Sequence, residues 1–441
     1  MIKNINAVLN YLLKKPVVSI VVFIFFTRLL TLLIYCHVTL FPDSDGYIEL
    51  ASRILDFNVS GYQGERSPGY PILLFLAHNN LAIAVAFQII IGAATAVYVY
   101  KTLEVLGFSN KSSLLITMFL NTLIHVVFYD FAILTENVTL FFITIIFYYI
   151  FRLFNGATGL KYTLTLSILL GYLVLTKPFY IFLPFLIYGL YTLKNFKFSR
   201  IINQQLLIIV LPLISFLGWS YVNKVNTGYF VSTTYYGINI SQNCVYFAEN
   251  VPDRYRQISD IYVKHRDIAI KEDKDVAMSI WFAYAELREK TGLSFIELSH
   301  ELSKFSKAAI AQNPGAYAKQ VFISWKDFWK TDIYWNYDDF NFKYANKAAL
   351  AVWYIERTLL QVLKIIFILL IPYYILIFIK NRKITPQFII VTVIFATSLL
   401  QAMATYGTNS RFSYPFEFLM IITLLLTFKP WLKWFTVLFS D

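Results

Sequence analysis

Long apolar stretches, separated by short polar segments, dominate the chain. The first follows Lys14 and Lys15 and runs for about 20 residues, long enough for a membrane helix. It exceeds the apolar core of a signal peptide and lacks a small-residue cleavage site, which predicts a retained first helix. Further stretches near 81–100, 113–129, 133–151, 163–176, 179–193, 204–222, 358–379, 386–404 and 414–428 predict about ten spans, in the range 9–12, in an all-α polytopic membrane protein. A transmembrane barrel would instead alternate apolar and polar positions in ten-residue segments. Residues 46–56 read as a short amphipathic helix, with Glu49 and Arg53 paired four apart. Helical patterns also cover 274–290 and 294–312, and no fixed-period repeat is visible.

Composition agrees with this picture. Apolar residues make up 58% and charged residues 15%, against about 25% in soluble domains. Aromatics reach 18%. A soluble enzyme, a disordered chain and a disulfide-stapled module are excluded. The net charge of +12 comes from 38 Lys and Arg against 26 Asp and Glu. Placing both termini in the cytoplasm puts 15 basic side chains on the inside, between Lys3 and Lys433, with Glu104 and Asp441 as the acids there. The positive-inside rule thus accounts for the basic excess without a nucleic-acid partner.

Three regions follow. Residues 1–222 form an N-terminal transmembrane module with a long first external loop at 38–80. Residues 223–346 form a mostly helical external domain with 15 basic and 15 acidic side chains. Residues 347–441 form a C-terminal transmembrane module. Cys36 and Cys244 show neither a disulfide pattern nor a CxxC metal motif, and the five histidines form no HExxH.

Several residues stand out as candidate chemistry. Asp43 and Asp45 precede the amphipathic helix, where Asp43 is either a base at the membrane surface or, like Ser44, an N-cap. Arg66 stands before Ser-Pro-Gly-Tyr-Pro, a turn stiff enough to aim it, although a rim arginine can also bind lipid phosphate. Arg28, Glu136 and Glu417 lie within or at the edge of apolar spans, where ionisable groups face a cavity or a partner. The structural alternative pairs Arg28 with one of the glutamates. Lys177 and Arg411 fall at outer helix ends, on the side that the positive-inside rule depletes of cations. Interface anchoring is the plainer role for them. Taken with Asp43, Asp45 and Glu136, these cations suggest one external pocket suited to acid–base chemistry on an anionic substrate.

The order of these motifs resembles the GT-C glycosyltransferases, a superfamily that includes protein O-mannosyltransferases and the lipid A aminoarabinose transferase. The matching residues are Asp43, Tyr47 and Ala51 in the first loop, Arg66 to Pro71, Thr135-Glu136 and Thr176 to Pro178. The segment from Trp219 through Gly228 and Phe230, Asn313 to Tyr317 and Asn409 to Pro415 complete the series. The chain departs from many members in carrying Asp43-Ser44 where they carry Asp-Glu, and it is shorter than the mannose and aminoarabinose enzymes. The resemblance implies a polyprenyl-phosphate sugar donor and a glycan, lipid or protein acceptor that contributes a hydroxyl. It implies an inverting reaction at the outer face of a bacterial inner membrane. Asp43 would be the general base, with Asp45 and Glu136 as the other acidic candidates. Arg66, Lys177, Arg411 and Arg28 would bind the donor phosphate, and Tyr47, Tyr70 and Asn409 the substrates. A divalent metal is compatible with this chemistry, though no ligand cluster demands one. Two other readings stay open: a lipid or solute transporter or flippase, and an O-antigen ligase or polymerase.

Overall fold

The computed structural model describes residues 12–157, 159–194, 203–332, 339–407 and 409–430. The chain ends, with Lys3, Lys433 and Asp441, lie outside the described residues. Among those described, the secondary structure is helical, with no strand beyond an isolated bridge between Thr39 and Ala132. The first helix, α1 (Pro16–Ile34), buries Ile20, Ile24 and Arg28, spaced four apart along one stripe. Val18, Val22, Phe26, Leu29 and Leu33 lie exposed on its other faces. Such a surface suits contact with lipid tails rather than water.

The first loop contains α2 (Ser44–Leu55) and α3 (Gly69–Leu76). The amphipathic pattern of α2 turns Tyr47, Leu50 and Ala51 inward, and the Glu49–Arg53 pair forms on its outer face at 2.9 Å. After α3 come α4 (Leu81–Val105), α5 (Asn110–Leu120) and α6 (Ile124–Tyr129). The apolar run at 113–129, predicted as one helix, is therefore two. At the break the Asn121 carbonyl accepts a hydrogen bond from Arg28 Nη1 at 2.7 Å, and Glu356 accepts one from the Ile124 N–H at 2.7 Å. These bonds satisfy backbone groups that the interruption releases.

Four helices then follow: α7 (Glu136–Phe154), α8 (Leu160–Thr176), α9 (Phe182–Lys194) and α10 (Leu207–Thr227). A 3₁₀ turn at Pro178–Ile181 leads into α9. Helix α7 packs on α4 and α8, and α10 packs on α8.

The region beyond α10 builds its own core. Its helices are α11 (Tyr236–Gln242), α12 (Arg256–Lys271), α13 (Ser279–Thr291) and α14 (Phe295–Gln312). Ile238, Phe247, Tyr262, Leu287, Leu298 and Phe305 fill the space between them. Helix α15 (Pro314–Phe328) behaves differently. It delivers Phe328 and Trp329 to the core of the helix bundle, so part of the 223–346 region packs with the apolar helices.

Helix α16 (Ala345–Asn381) starts well before the apolar stretch at 358–379. Its 37 residues span about 55 Å at 1.5 Å per residue, more than a bilayer core of about 30 Å. The chain continues through α17 (Pro386–Ala404) and the one-turn α18 (Ser410–Ser413), and α19 (Glu417–Phe428) is the last described helix. Asn243 donates to the Ala402 carbonyl at 3.0 Å, seating the α11–α14 domain on the end of α17 beside α18. Seven of the described helical segments are long and apolar enough to cross a membrane. They are Pro16–Ile34, Leu81–Val105, Glu136–Phe154, Gln204–Thr227, Ala345–Asn381, Pro386–Ala404 and Ser410–Phe428. Leu160–Thr176 and Pro178–Lys194 are shorter apolar helices.

Candidate active site

Asp43 directly precedes α2 but does not cap it, because its carboxylate makes no bond to the helix amides. Ser44 anchors this corner instead: its Oγ accepts from the Phe41 N–H at 2.9 Å and donates to the Ile133 carbonyl at 2.8 Å. The Asp43 carboxylate is left to two guanidiniums. Arg66 Nη2 reaches Oδ1 at 2.9 Å, and Arg411 Nη1 reaches Oδ2 at 3.0 Å.

Arg66 is aimed by its surroundings. The Tyr62 hydroxyl accepts from the Arg66 N–H at 2.6 Å and donates to the Arg66 carbonyl at 3.1 Å, which fixes the backbone. The guanidinium lies over the rings of Tyr47 at 5.0 Å and Tyr235 at 4.8 Å, a cation–π arrangement. Gly46 makes room for it, since a Cβ there would stand 3.0 Å from Arg66 Nε.

Glu136 begins α7 with its side chain fully enclosed, where the amide dipoles favour negative charge. Arg411 binds its Oε1 through Nε at 3.1 Å and Nη2 at 3.0 Å, and Lys177 Nζ approaches the same oxygen at 3.3 Å. Lys177 is held by the stop of α8 before Pro178 and lies over the Phe412 ring at 4.8 Å.

The five side chains thus form a line of alternating charge: Lys177, Glu136, Arg411, Asp43 and Arg66. Both ends are cationic, and the line has one more cation than carboxylate. Asp43 is its accessible acid, with 33% of its side chain exposed against 0% for Glu136. Burial alone would raise the Asp43 pKa, but Arg411 and Arg66 outweigh it and hold the carboxyl below its ordinary range. The group is therefore ionised at neutral pH.

The other candidates fall elsewhere. Asp45 is exposed and, two residues along a helix from Asp43, points about 200° away around the axis. Tyr47 and Tyr70 pack edge to face at 5.2 Å beneath Arg66, and the Tyr70 hydroxyl donates to Gln88 Oε1 at 2.8 Å. Asn409 is buried and donates to the Ser324 and Thr405 carbonyls at 3.0 and 3.3 Å, so it braces the chain before α18 rather than facing the charged line. Arg28 makes its bonds outside the charged line, to Asp130, Thr27 and the Asn121 carbonyl. Its partner is Asp130 at 2.7 Å, which corrects the pairing with a glutamate. Glu417 is taken by Lys364 at 2.8 Å and His125 at 2.7 Å, with Lys364 also donating to Ser413 Oγ at 2.8 Å.

Sequence reading missed Asp130, His125, Lys364, Gln88, Glu65 and Tyr235. Lys364 and Asp130 did carry a signal, each being an isolated charge in an apolar run. Among the described residues no three His, Cys, Asp or Glu side chains gather as a metal site. Both oxygens of Asp43 and Oε1 of Glu136 already face Arg or Lys nitrogens, and a donor set ringed by cations does not fit a divalent metal ion.

The helices and the charged line at their ends define a polytopic helical membrane protein. No protein-family model matches the chain, and no curated protein matches its sequence.

Proposed function

We propose that this protein is a GT-C-type glycosyltransferase that moves a sugar from a polyprenyl-phosphate donor to an acceptor hydroxyl. The observation that carries the reading is the alternating line itself. An accessible ionised carboxylate lies between two guanidiniums, beside helices apolar enough for a bilayer. A lipid-linked sugar phosphate presents its anion at that depth. In this reading the shorter helices α8 and α9 and the α5–α6 pair join the seven long segments to make ten spans. The charged line and the α11–α14 domain then lie on the external face.

The residues divide the chemistry as follows. Asp43 takes the proton of the acceptor hydroxyl while its oxygen bonds to the anomeric carbon. The bond from that carbon to the phosphate oxygen breaks with its electron pair staying on the phosphate, and the configuration inverts. Arg411, Lys177 and Arg66 stabilise the charge gained by the leaving phosphate, a task that fixed cations perform best in a site shielded from water. Glu136 holds Arg411 and Lys177 together against their mutual repulsion.

Asp43→Asn tests this assignment. It keeps one acceptor oxygen for an arginine but removes the base, so turnover is expected to fall roughly 10²–10⁴-fold with donor binding retained. An Asp43→Asn protein that folds, binds donor and turns over at a near-normal rate would eliminate Asp43 as the base.

A transport reading draws on a different observation: Arg28–Asp130 and the Lys364–Glu417–His125 group are ion pairs buried in the bundle. A transporter moves substrate without forming a glycosidic bond, which product analysis decides.

A further inference from the structure

The Arg66 end of the charged line holds a carboxylate that the mechanism above does not use. Glu65 is half-buried, and the Tyr235 hydroxyl donates to its Oε2 at 3.3 Å. Tyr235 is one of the two rings over which the Arg66 guanidinium lies. One phenol and one guanidinium therefore link Glu65 to Asp43 through successive contacts.

The mounting of Glu65 is unusually complete for a loop. The Glu65 carbonyl accepts from Thr233 Oγ1 at 2.7 Å, and the Gln63 carbonyl accepts from Thr234 Oγ1 at 2.9 Å. The Gly64 carbonyl accepts from the Thr234 N–H at 2.9 Å, while the Tyr62 hydroxyl clasps both backbone groups of Arg66. Residues 62–66 are thus fastened at each step to one another or to the 233–235 segment that leads into α11. Tyr235 packs in turn against Trp281 at 5.7 Å and Phe295 at 5.4 Å, so the α11–α14 domain sets the position of its hydroxyl.

Resting on the glycosyltransferase reading, we propose that Glu65, supported by Tyr235, binds the acceptor: its free carboxylate oxygen accepts a hydrogen bond from a second hydroxyl of a sugar acceptor while the first hydroxyl lies at Asp43. A carboxylate is an acceptor-only group with room for several hydrogen bonds, and Tyr235 occupies one. Bonds to a charged acceptor are about twice as strong as neutral ones, which suits a group that must orient a polyhydroxylated ligand against water. The division of labour along the line then has a direction. Lys177 and Arg411 serve the donor phosphate, and Glu65 and Tyr235 serve the acceptor, with Arg66 and Asp43 between them. Burial raises the Glu65 pKa more than Arg66 and Tyr235 lower it, so its hydrogen-bonding behaviour changes at a higher pH than that of Asp43.

The test separates transfer to a sugar from transfer to water. Purified protein is given a polyprenyl-phosphate sugar with or without a methyl glycoside from a panel, and both donor hydrolysis and glycoside product are measured. Glu65→Gln keeps the oxygen that accepts from Tyr235 but replaces the free carboxylate oxygen with an amide donor. It is expected to raise the KM for the glycoside about tenfold or more, leaving donor hydrolysis, donor KM and thermal melting as in the wild type. Glu65→Asp is expected to recover part of the loss, and Tyr235→Phe to show a smaller rise in the same KM. An unchanged glycoside KM in Glu65→Gln, with the wild type active, overturns the acceptor assignment alone. A fall in hydrolysis equal to the fall in transfer also overturns it, because it marks a general disturbance of the site. A wild type that consumes no donor in either assay overturns the glycosyltransferase reading, and the acceptor assignment with it.

Discussion

Asp43 is held by one guanidinium on each oxygen, and this shapes how it responds to protons. Its pKa is lowered in the folded protein from the ordinary 3.8, because the two arginines outweigh the effect of burial. A depressed carboxyl stabilises the fold while it is ionised. The stabilisation is complete above the ordinary value and is lost as pH falls through the lower folded value. The difference in melting temperature between wild type and Asp43→Asn is therefore expected to stay level from pH 7 to about 4 and to shrink only below that. A difference that already declines between pH 6 and pH 5 would mean that the arginines do not hold Asp43 ionised. The same pairing bears on catalysis. In the proposed reaction an anionic donor would compete with Asp43 for Arg66 and Arg411 and so free the carboxylate for an acceptor hydroxyl. The five residues of the line stood out in the sequence for different reasons: Lys177 and Arg411 as cations against the expected charge bias, Glu136 as an ionisable group at the edge of an apolar span, Arg66 before a stiff turn and Asp43 before the amphipathic helix. Glu65 and Tyr235 were not, since an interaction between residues 170 apart leaves no local pattern.

At the scale of elements, the site depends on how closely two helices meet. The first residue of α3, Gly69, lies against the last turn of α8, and the Tyr172 hydroxyl donates to the Gly69 carbonyl at 2.8 Å. A Cβ at Gly69 would fall 2.4 Å from the Thr176 nitrogen and 2.6 Å from the Leu175 carbonyl carbon. These are backbone atoms and cannot turn aside as a side chain would. Gly69→Ala is expected to destabilise by about 1–3 kcal/mol and to lower turnover, because it pushes on the residue next to Lys177. Gly189→Ala in α9 is the matched control: its Cβ would meet nothing within 4 Å, and alanine favours the helix, so melting should hold or rise. Equal behaviour of the two variants would show that α3 has freedom to move off α8. Element ends were the least legible part of the sequence. The apolar run at 113–129 hides its break, because Arg28 and Glu356, which satisfy the freed backbone, come from distant helices. Helix α16 begins thirteen residues before its apolar pattern, where its mixed sequence gives no membrane signal.

At the scale of the whole molecule, the buried ion pairs among the described residues of the helix bundle gather in three places. Arg28 fastens α1 both to Asp130 at the end of α6 and to the Asn121 carbonyl at the break between α5 and α6, with Gln88 carrying the connection on from the Asp130 carbonyl to the Tyr70 hydroxyl. The Lys364–Glu417–His125 group ties α16, α19 and α6 together and reaches Ser413, two residues from Arg411. The third place is the line from Lys177 to Arg66, where the Asp43 carboxylate is accessible while Asp130 and Glu417 in the other two are buried. Composition and apolar periodicity made the all-helical membrane class legible from the start. The partners of the buried charges were not, because 102 residues separate Arg28 from Asp130 and 292 separate His125 from Glu417. The two fastening groups support the bundle around the third, which is where substrates meet in the proposed reaction. The most direct measurement is product analysis with purified wild type, a panel of polyprenyl-phosphate sugars and hydroxyl-bearing acceptors. The expected result is stoichiometric release of polyprenyl phosphate and a new glycosidic bond of inverted anomeric configuration. Movement of intact donor across the bilayer, with no glycosidic bond formed from any donor, would contradict it.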